Sequence, residues 1–396
     1  MHAQCIIQDL LDTKCSEIHA KRRCCIAKVA EAAGIGGLGV VRMGRWLASK
    51  TSIRHRIKCC DRLLSNPHLS HERLAIYRAM GDSLLAGHRH ISITIDWSDL
   101  LRDGSLCLLR AAVTVKGRAF VLYEEVHKQS DLGSPRVHRR FLETLRSELP
   151  EQCDPVLVTD AGFRAAWFKL ATELQFSWVG RIRNRDKVCV EGSGQWDGCK
   201  TWYAGATATP RCLGHFQYAR ANATPCRLVL YKKLPRGRHH RTAFHKKTLS
   251  TNSKKHRATQ IEPWLLAVSP DLAALNAKQV VEIYAGRMQI EQTFRDVKNA
   301  QWGMGLSNSQ TRKPHRLAVL LLLGALISYA LWLIGLAATS AGYQVSYGSR
   351  KKAGSTFSIL TLARRYLTDQ VRPRLNQQAF KLALFELIKL VRVVTI

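Results

Sequence analysis

Three carboxylates in this chain stand where a metal-dependent reaction on phosphodiesters would need them. Asp96 follows the alternating segment ISITI, Asp160 follows the apolar segment PVLVT, and Glu291 lies in the segment VVEIYAGRMQIEQTFRDVKNA. Cutting a phosphodiester requires a deprotonated attacking oxygen and a stabilised leaving oxygen, which two divalent ions about 4 Å apart can provide. Mg²⁺ prefers carboxylate oxygens, so such a site needs about three acids converging from separate elements.

The first two acids are expected at the ends of strands. Asp96 and Asp160 each close a strand-like segment, and α/β sheets place ligand sites at the carboxyl ends of their strands. Gly162 would let the chain turn closely into the next helix. A single Asp at a strand end is as often a turn or helix cap, so that alternative stays open. Asp99 lies beyond the expected end of the first strand and is expected to point elsewhere.

The third acid belongs to a polar stripe of four residues: Tyr284, Arg287, Glu291 and Lys298. On one helix, at 100° per residue, they fall at about 0°, −60°, −20° and −40°, so they share a narrow face. Arg287 can bind a phosphate bidentately, and Lys298 can bind one as a point charge. An exposed salt-bridge ladder is the alternative, because Arg287 and Glu291 are four residues apart. Glu282 and Asp296 lie away from the stripe and are expected to be surface charges.

The charge of the chain favours a polyanionic partner. Its 396 residues include 61 Lys and Arg against 29 Asp and Glu, a formal net charge of +32. A soluble protein this basic repels itself unless DNA, RNA or an anionic membrane surface neutralises it.

A cationic helix is predicted within residues 51–64, where apolar residues alternate with basic ones and Asn66–Pro67 forms a break. Ile53 and Ile57 are among the apolar positions. Such a face suits DNA phosphates, and a solvated surface helix is the alternative. The candidate DNA-binding residues are Arg54, Arg56, Lys58 and Arg62.

One apolar segment permits two interpretations. Residues 317–338 contain no charge and are long enough to span a bilayer. A helix buried in a core is also apolar on every side, and this interpretation is preferred because the segment follows directly on a charged helix. The twelve cysteines form no CxxC pair, and the first residues lack a signal-peptide pattern, so reduced thiols in a cytoplasmic protein are expected.

The order of elements predicts an α/β fold. Between residues 91 and 182 the patterns predict three strands, a helix, a strand, a helix and a strand, with a hairpin around Lys116–Gly117. That order indicates a central mixed sheet. One long helix is expected over about 278–299. A run dense in Lys, Arg and His, at 235–260, is expected to form a flexible basic loop.

With these motifs in place, the chain resembles the bacterial DDE transposases of the insertion-sequence-four family, and within it the transposon-ten type. The Tyr-Arg-Glu-Lys stripe is the most specific part of the resemblance, which also rests on RIKCCDRLLSNPHLSHERLAIYR, IDWSD, VTDAGF and EPWLLA. It covers roughly residues 17 to 340 and is less clear over the last 50.

The resemblance implies an α/β fold with a ribonuclease-H-like mixed-sheet core, interrupted by a β-rich insertion and flanked by helical regions. The expected domains are a helical DNA-binding region, the first part of the core, a basic β-rich insertion, the second part of the core and a helical C-terminal region. Their bounds are, in that order, 1–88, 89–185, 186–262, 263–340 and 341–396.

The resemblance also implies a reaction and its ligands. Asp96, Asp160 and Glu291 would bind two Mg²⁺ ions, for which Mn²⁺ can substitute. The reaction would be cut-and-paste transposition, in which an end is nicked, a hairpin forms and opens, and the end is transferred to a target. The partners would be the terminal inverted repeats and target DNA, bound by a homodimer in the synaptic complex, with no membrane.

DNA contacts are implied as well. Tyr284, Arg287 and Lys298 would contact the transposon end. Trp264 would stack a base flipped out near the hairpin, with packing on a strand as the alternative, whereas Trp97 is expected to be structural. Two other functions stay open: a transposase-derived protein that binds DNA ends without cutting, and a membrane-associated basic protein.

Overall fold

The computed structural model describes residues 3–101, 103–183, 186–233, 250–251, 262–301, 303–347, 357–369, 371 and 374–395. The chain divides into two compact units. Unit 1 contains residues 1–153 and 288–393, and unit 2 contains residues 154–287 and 394–396. Nearly all of the basic loop predicted at 235–260 lies outside the described residues.

The N-terminal part of unit 1 is helical, as its pattern predicts. Its described residues form α1 (Ala3–Lys14), α2 (Ala20–Gly36), α3 (Val40–Trp46), α4 (Ile53–Leu64) and α5 (Leu69–Leu84). The Ser52 side chain accepts a hydrogen bond from the His55 backbone N–H and so caps α4. The Asn66–Pro67 break separates α4 from α5, because proline cannot donate the next helical hydrogen bond.

Three antiparallel strands follow in unit 1, in the order β3-β2-β1: β1 (Ser92–Asp99), β2 (Leu106–Val115) and β3 (Arg118–Lys128). Gly117, with φ of 87°, forms the two-residue turn between β2 and β3, which confirms the predicted hairpin. Asp96 does not end its strand, contrary to the sequence prediction. Trp97, Ser98 and Asp99 continue the pairing of β1 with β2. Helix α6 (Pro135–Glu148) completes this segment.

Unit 2 contains a mixed sheet. Its helices and strands are β4 (Val156–Thr159), α7 (Ala165–Glu173), β5 (Ser177–Ile182), β6 (Lys187–Val190), β7 (Trp196–Gly198), β8 (Arg211–Tyr218), β9 (Thr224–Tyr231), β10 (Trp264–Val268) and α8 (Ala277–Gly286). The described strands lie in the order β4-β5-β10-β9-β8-β6-β7. β4 and β5 are parallel and joined through α7, whereas the other described pairs are antiparallel. The predicted mixed α/β pattern is therefore present, and Asp160 directly follows β4 as expected.

The rest of unit 1 is helical: α9 (Met288–Lys298), α10 (Pro314–Ser340), α11 (Tyr343–Tyr347), α12 (Ile359–Thr368) and α13 (Gln377–Lys389). The single helix predicted over 278–299 is therefore wrong, because α8 and α9 are separate. The Arg287 backbone N–H donates to the Tyr284 carbonyl at 3.0 Å, a tighter turn than an α-helix makes, directly after the poor helix former Gly286.

The apolar segment forms α10. Of the helices that the structure describes, α10 alone is by itself long and apolar enough to cross a membrane, and the sharply bent pair α2 and α3 passes the same test only when taken together. In the most apolar part of α10, 89% of the residues are buried. The ring centroid of Trp332 in this helix lies 5.4 Å from that of Phe120. This burial agrees with the preferred interpretation, since a helix enclosed by protein is apolar on every side.

A buried polar cluster joins α6 to one face of β1 and β3. The Trp97 indole N–H lies 3.2 Å from His138 Nε2, and Glu125 accepts a hydrogen bond from Arg140 and pairs with His127 at 2.8 Å. Burial, together with the neighbouring His127, lowers the pKa of His138 from 6.5 to about 4. The Trp97 side chain therefore packs within the fold and helps to hold α6 against β1, as expected of a structural residue.

This cluster predicts acid sensitivity of unit 1. Between pH 6.5 and about 4 the unfolded chain binds a proton at His138 that the folded chain excludes, so stability falls as the pH falls through that range. We expect His138 to account for a loss of about 2 kcal/mol between pH 7 and pH 5. The His138→Gln variant keeps an acceptor for Trp97 but does not titrate, so its melting temperature should fall less over the same pH interval. Equal falls in both proteins would contradict this assignment.

Candidate active site

A polar cavity of about 590 Å³ lies in unit 2, at the carboxyl ends of β4 and β5. Because these two strands are parallel, the residues that end them meet at one edge of the sheet. The lining residues include Asp160 after β4 and Arg181 and Arg183 at the end of β5. The others are Ala161, Gly162, Arg164, Ile182, Asp186, Tyr218, Glu262, Tyr284 and Arg287.

Asp160 is oriented by the turn that follows it. Its Oδ1 accepts a hydrogen bond from the Gly162 backbone N–H at 2.8 Å. A Cβ atom at position 162 would lie only 2.9 Å from the same oxygen, so the turn favours glycine there. This bond uses one carboxylate oxygen, so the turn-forming role and a ligand role are compatible.

Arginines give the cavity wall an anion-binding character. Four arginines line it together with three carboxylates. Glu262 accepts from Arg181 Nη2 at 3.2 Å, from the Tyr203 hydroxyl at 3.2 Å and pairs with Arg183 Nε at 3.1 Å. The sequence interpretation missed Arg181, Arg183 and Glu262. The signal was present, since the motif GRIR ends a strand parallel to the one that presents Asp160.

Tyr284 and Trp264 pack together beside this cavity. Tyr284 is only 4% exposed, and its ring centroid lies 4.8 Å from that of Trp264 and 5.9 Å from the Arg287 guanidinium carbon. Burial raises the pKa of Tyr284, so its phenol is neutral at pH 7. Trp264 is half-buried at the start of β10 and also contacts Tyr231, so part of its ring packs in the fold and part is exposed.

In unit 1, Lys298 lies against the face of β1 that carries Asp96. Asp96, half-buried, accepts a hydrogen bond from the Trp97 backbone N–H at 2.9 Å. Lys298 donates to Ser98 Oγ at 2.7 Å, and Ser98 projects to the same strand face as Asp96 because they are two residues apart. Glu291, exposed, lies two helical turns before Lys298 on the same side of α9.

The side of α9 that adjoins the one carrying Glu291 and Lys298 is buried: Ile290, Phe294 and Val297 are at most 7% exposed. One expectation about the nearby acids is wrong. Asp296 is not a surface charge, because it is half-buried and pairs with Arg118 at 2.9 Å. The backbone carbonyl of Asp99, which ends β1, accepts a hydrogen bond from Lys298. Glu282 is exposed, as expected.

A basic groove of about 680 Å³ lies in the N-terminal part of unit 1. It is lined by Arg56, Lys58 and Arg62 from the predicted cationic face of α4, whereas the exposed Arg54 is not among its lining residues. Ile53, one of the apolar positions of the predicted helix, is the first residue of α4 and is 51% exposed. The sequence interpretation missed the other basic lining residues: His19, Lys21, Arg22 and His55.

No group of three or more His, Cys, Asp or Glu side chains that could hold a metal ion occurs among the described residues. The predicted ligands are nevertheless of the right chemical kind, because carboxylate oxygens are what Mg²⁺ binds. Asp96 and Asp160 are each held by a bond from a nearby backbone N–H. Asp96 and Glu291 belong to unit 1, and Asp160 belongs to unit 2.

Comparison with known proteins gives one family. The sequence model of the family described as "Transposase DDE domain" matches residues 111–330. This range includes Asp160 and Glu291 and begins in β2, after Asp96. No curated protein matches the chain.

Proposed function

Because the chain belongs to the family of transposases with a DDE domain, we propose that it moves an insertion sequence by cut-and-paste transposition. Family membership makes it a DNA-acting transposase with an α/β, ribonuclease-H-like mixed-sheet fold, and such enzymes generally use divalent metal ions. The proposal extends this to the insertion-sequence-four type, acting in the cytoplasm on terminal inverted repeats and target DNA. A homodimer would hold the paired ends.

The observation that carries the proposal is the arginine-lined cavity of unit 2, in which Asp160 stands at the tip of a parallel strand. A carboxylate among arginines suits a DNA phosphate next to a cation. In this proposal Asp96, Asp160 and Glu291 hold two Mg²⁺ ions, or Mn²⁺ in their place. When bound, these ions favour the deprotonated attacking oxygen and stabilise the leaving oxygen. The three carboxylates would repel one another without a cation, so bound metal ions would also offset that repulsion.

In this proposal the DNA contacts come from Tyr284, Arg287, Lys298 and Trp264. Arg287 binds a backbone phosphate, the neutral phenol of Tyr284 donates a hydrogen bond, and Trp264 stacks the flipped base. Lys298 would have to exchange its bonds to Ser98 and the Asp99 carbonyl for a phosphate.

A cleavage assay tests the proposal. The purified chain is mixed with linear DNA that carries the gene's own flanking ends, in Mg²⁺ or in EDTA. We expect nicks at the end boundary, followed by hairpins, in Mg²⁺ only. End binding that persists in EDTA, with no cleavage in Mg²⁺ or Mn²⁺, would instead support a transposase-derived DNA-binding protein.

The basic groove of unit 1 predicts a salt-dependent contribution to end binding. Each phosphate contact contributes about 0.9 to the slope of log affinity against log salt concentration, because contact releases a condensed counterion. We expect Arg62→Gln and Lys58→Gln, which alter groove residues, each to lower that slope by about 1 and to weaken binding to all DNA sequences alike. The measurement is fluorescence anisotropy across a salt series.

Arg54→Gln is the matched control for this prediction, because it makes the same change on the same helix outside the groove lining. Its slope should equal that of the parent. Equal effects of Arg54→Gln and Arg62→Gln would show that the whole face of α4, and not the groove, binds DNA.

A further inference from the structure

Arg110 is a fully buried cation on the strand next to Asp96. Only 1% of Arg110 is exposed to solvent. In register, Arg110 on β2 pairs with Asp96 on β1 and with Glu124 on β3. Because directly paired residues of antiparallel strands project to the same side, Arg110 lies on the face of the strands that carries Asp96.

Glu124 holds the Arg110 guanidinium in one orientation. Arg110 Nε donates to Glu124 Oε2 at 2.7 Å, and Nη2 lies 2.6 Å from the same oxygen. The other oxygen, Oε1, accepts from the Tyr77 hydroxyl on α5 at 2.9 Å. A buried ion pair is tolerated only when its geometry is good and further hydrogen bonds satisfy it, so this arrangement is strongly constrained.

The guanidinium also holds α9. Arg110 Nη1 donates to Thr293 Oγ1 at 3.1 Å, and its central carbon lies 4.7 Å from the Phe294 ring centroid. Thr293 is 8% exposed and stands two residues after Glu291. One hydroxyl therefore joins the middle of the helix that carries Glu291 to the strand beside Asp96.

We propose that Arg110 is a positioning residue that, through Thr293, sets the placement of Glu291 relative to Asp96. This inference rests on the proposed function of those two carboxylates. The C-terminal end of α9 has other attachments, namely Lys298 to Ser98 and Asp296 to Arg118. The bond to Thr293 is an attachment two residues after Glu291, and ligand groups must be held within roughly 0.5 Å of their productive geometry.

Thr293→Val tests the proposal without removing a buried charge. Valine has nearly the shape of threonine but lacks the hydroxyl that accepts from Arg110, whereas Arg110→Met would leave Glu124 buried and unpaired and is expected to prevent folding. We expect end cleavage to slow about tenfold, since a small misplacement of a reacting group has effects of this order. The concentration of Mg²⁺ at half-maximal rate and the dissociation constant of Mn²⁺ from the DNA complex, measured by electron paramagnetic resonance, should rise similarly. Thr293→Ser, which retains the hydroxyl, should restore all three.

The matched control is Thr339→Val on α10, where the threonine hydroxyl donates to the Gly335 carbonyl of its own helix at 2.7 Å. It should cleave DNA and bind Mn²⁺ like the parent. Parental cleavage and Mn²⁺ affinity in Thr293→Val would overturn the proposal, as would a defect that Thr293→Ser does not rescue. Glu291→Gln distinguishes a failure of the role proposed for Arg110 from a failure of the proposed active site. If it is inactive while Thr293→Val is normal, only the role of Arg110 fails, whereas an active Glu291→Gln contradicts the proposed site itself.

Discussion

Replacing Asp160 with Asn is expected to slow Mg²⁺-dependent cleavage of the transposon end about a thousandfold, while end binding in EDTA stays at the parental level. The amide has the shape of the carboxylate and can still accept the Gly162 N–H bond. It lacks the charge that holds a divalent cation. Loss of a metal ligand removes several kcal/mol of transition-state stabilisation, and about 4 kcal/mol corresponds to a factor of about a thousand.

The same result is expected for Asp96→Asn and Glu291→Gln, which place the change in unit 1. The measurement is the single-turnover rate of end nicking, beside the affinity for the end in EDTA. Mn²⁺ should restore part of the activity, because it binds nitrogen and oxygen ligands more tightly than Mg²⁺ does.

Asp186→Asn is the matched control in unit 2. Asp186 lines the same cavity as Asp160 and accepts from the Tyr218 hydroxyl at 2.6 Å, a bond that an amide oxygen can also accept. Its cleavage rate should stay within about threefold of the parental rate. If Asp160→Asn and Asp186→Asn were equally impaired, the cavity would serve electrostatic binding of DNA and Asp160 would lose its assignment as a ligand.

Replacing Trp264 with Ala is expected to reduce hairpin formation about 10- to 100-fold with little change in the first nick. Stacking of a base on an aromatic ring contributes about 1–3 kcal/mol, and this contribution is needed only when the base leaves the helix. The ring of Trp264 is half-buried, with Tyr284 on one side and Lys233 5.7 Å from its centroid. The measurement is the ratio of hairpin to nicked product over time on a denaturing gel.

Two variants separate stacking from packing at this position. Trp264→Phe keeps an aromatic face and should retain most hairpin formation. Trp202→Ala removes another half-buried tryptophan of unit 2, one that packs against Phe216 at 5.0 Å, and should affect the nick and the hairpin equally. An equal loss of both products in Trp264→Ala would mean that this side chain supports the fold and does not stack a base.

Local patterns predicted most of the elements around the candidate site. The apolar run before Asp160 became β4, and the hairpin at Lys116–Gly117 lies where the turn residues place it. Local patterns failed where pairing with a distant segment decided the outcome. β1 continues past Asp96 because β2 pairs with it as far as Asp99, and Asp296 is half-buried because Arg118, 178 residues earlier, reaches it.

By itself, the sequence determined the order of strands and helices from β1 to β5 and the position of Asp160 directly after β4. These follow from the periodicity of neighbouring residues, which is a local property of the chain. Only the tertiary structure decided which charges meet. Arg110 pairs with Glu124 on the next strand, and Arg181 pairs with Glu262, 81 residues away. A charge tolerates burial only beside a suitable partner, and that partner is chosen by the packing of elements far apart in the chain.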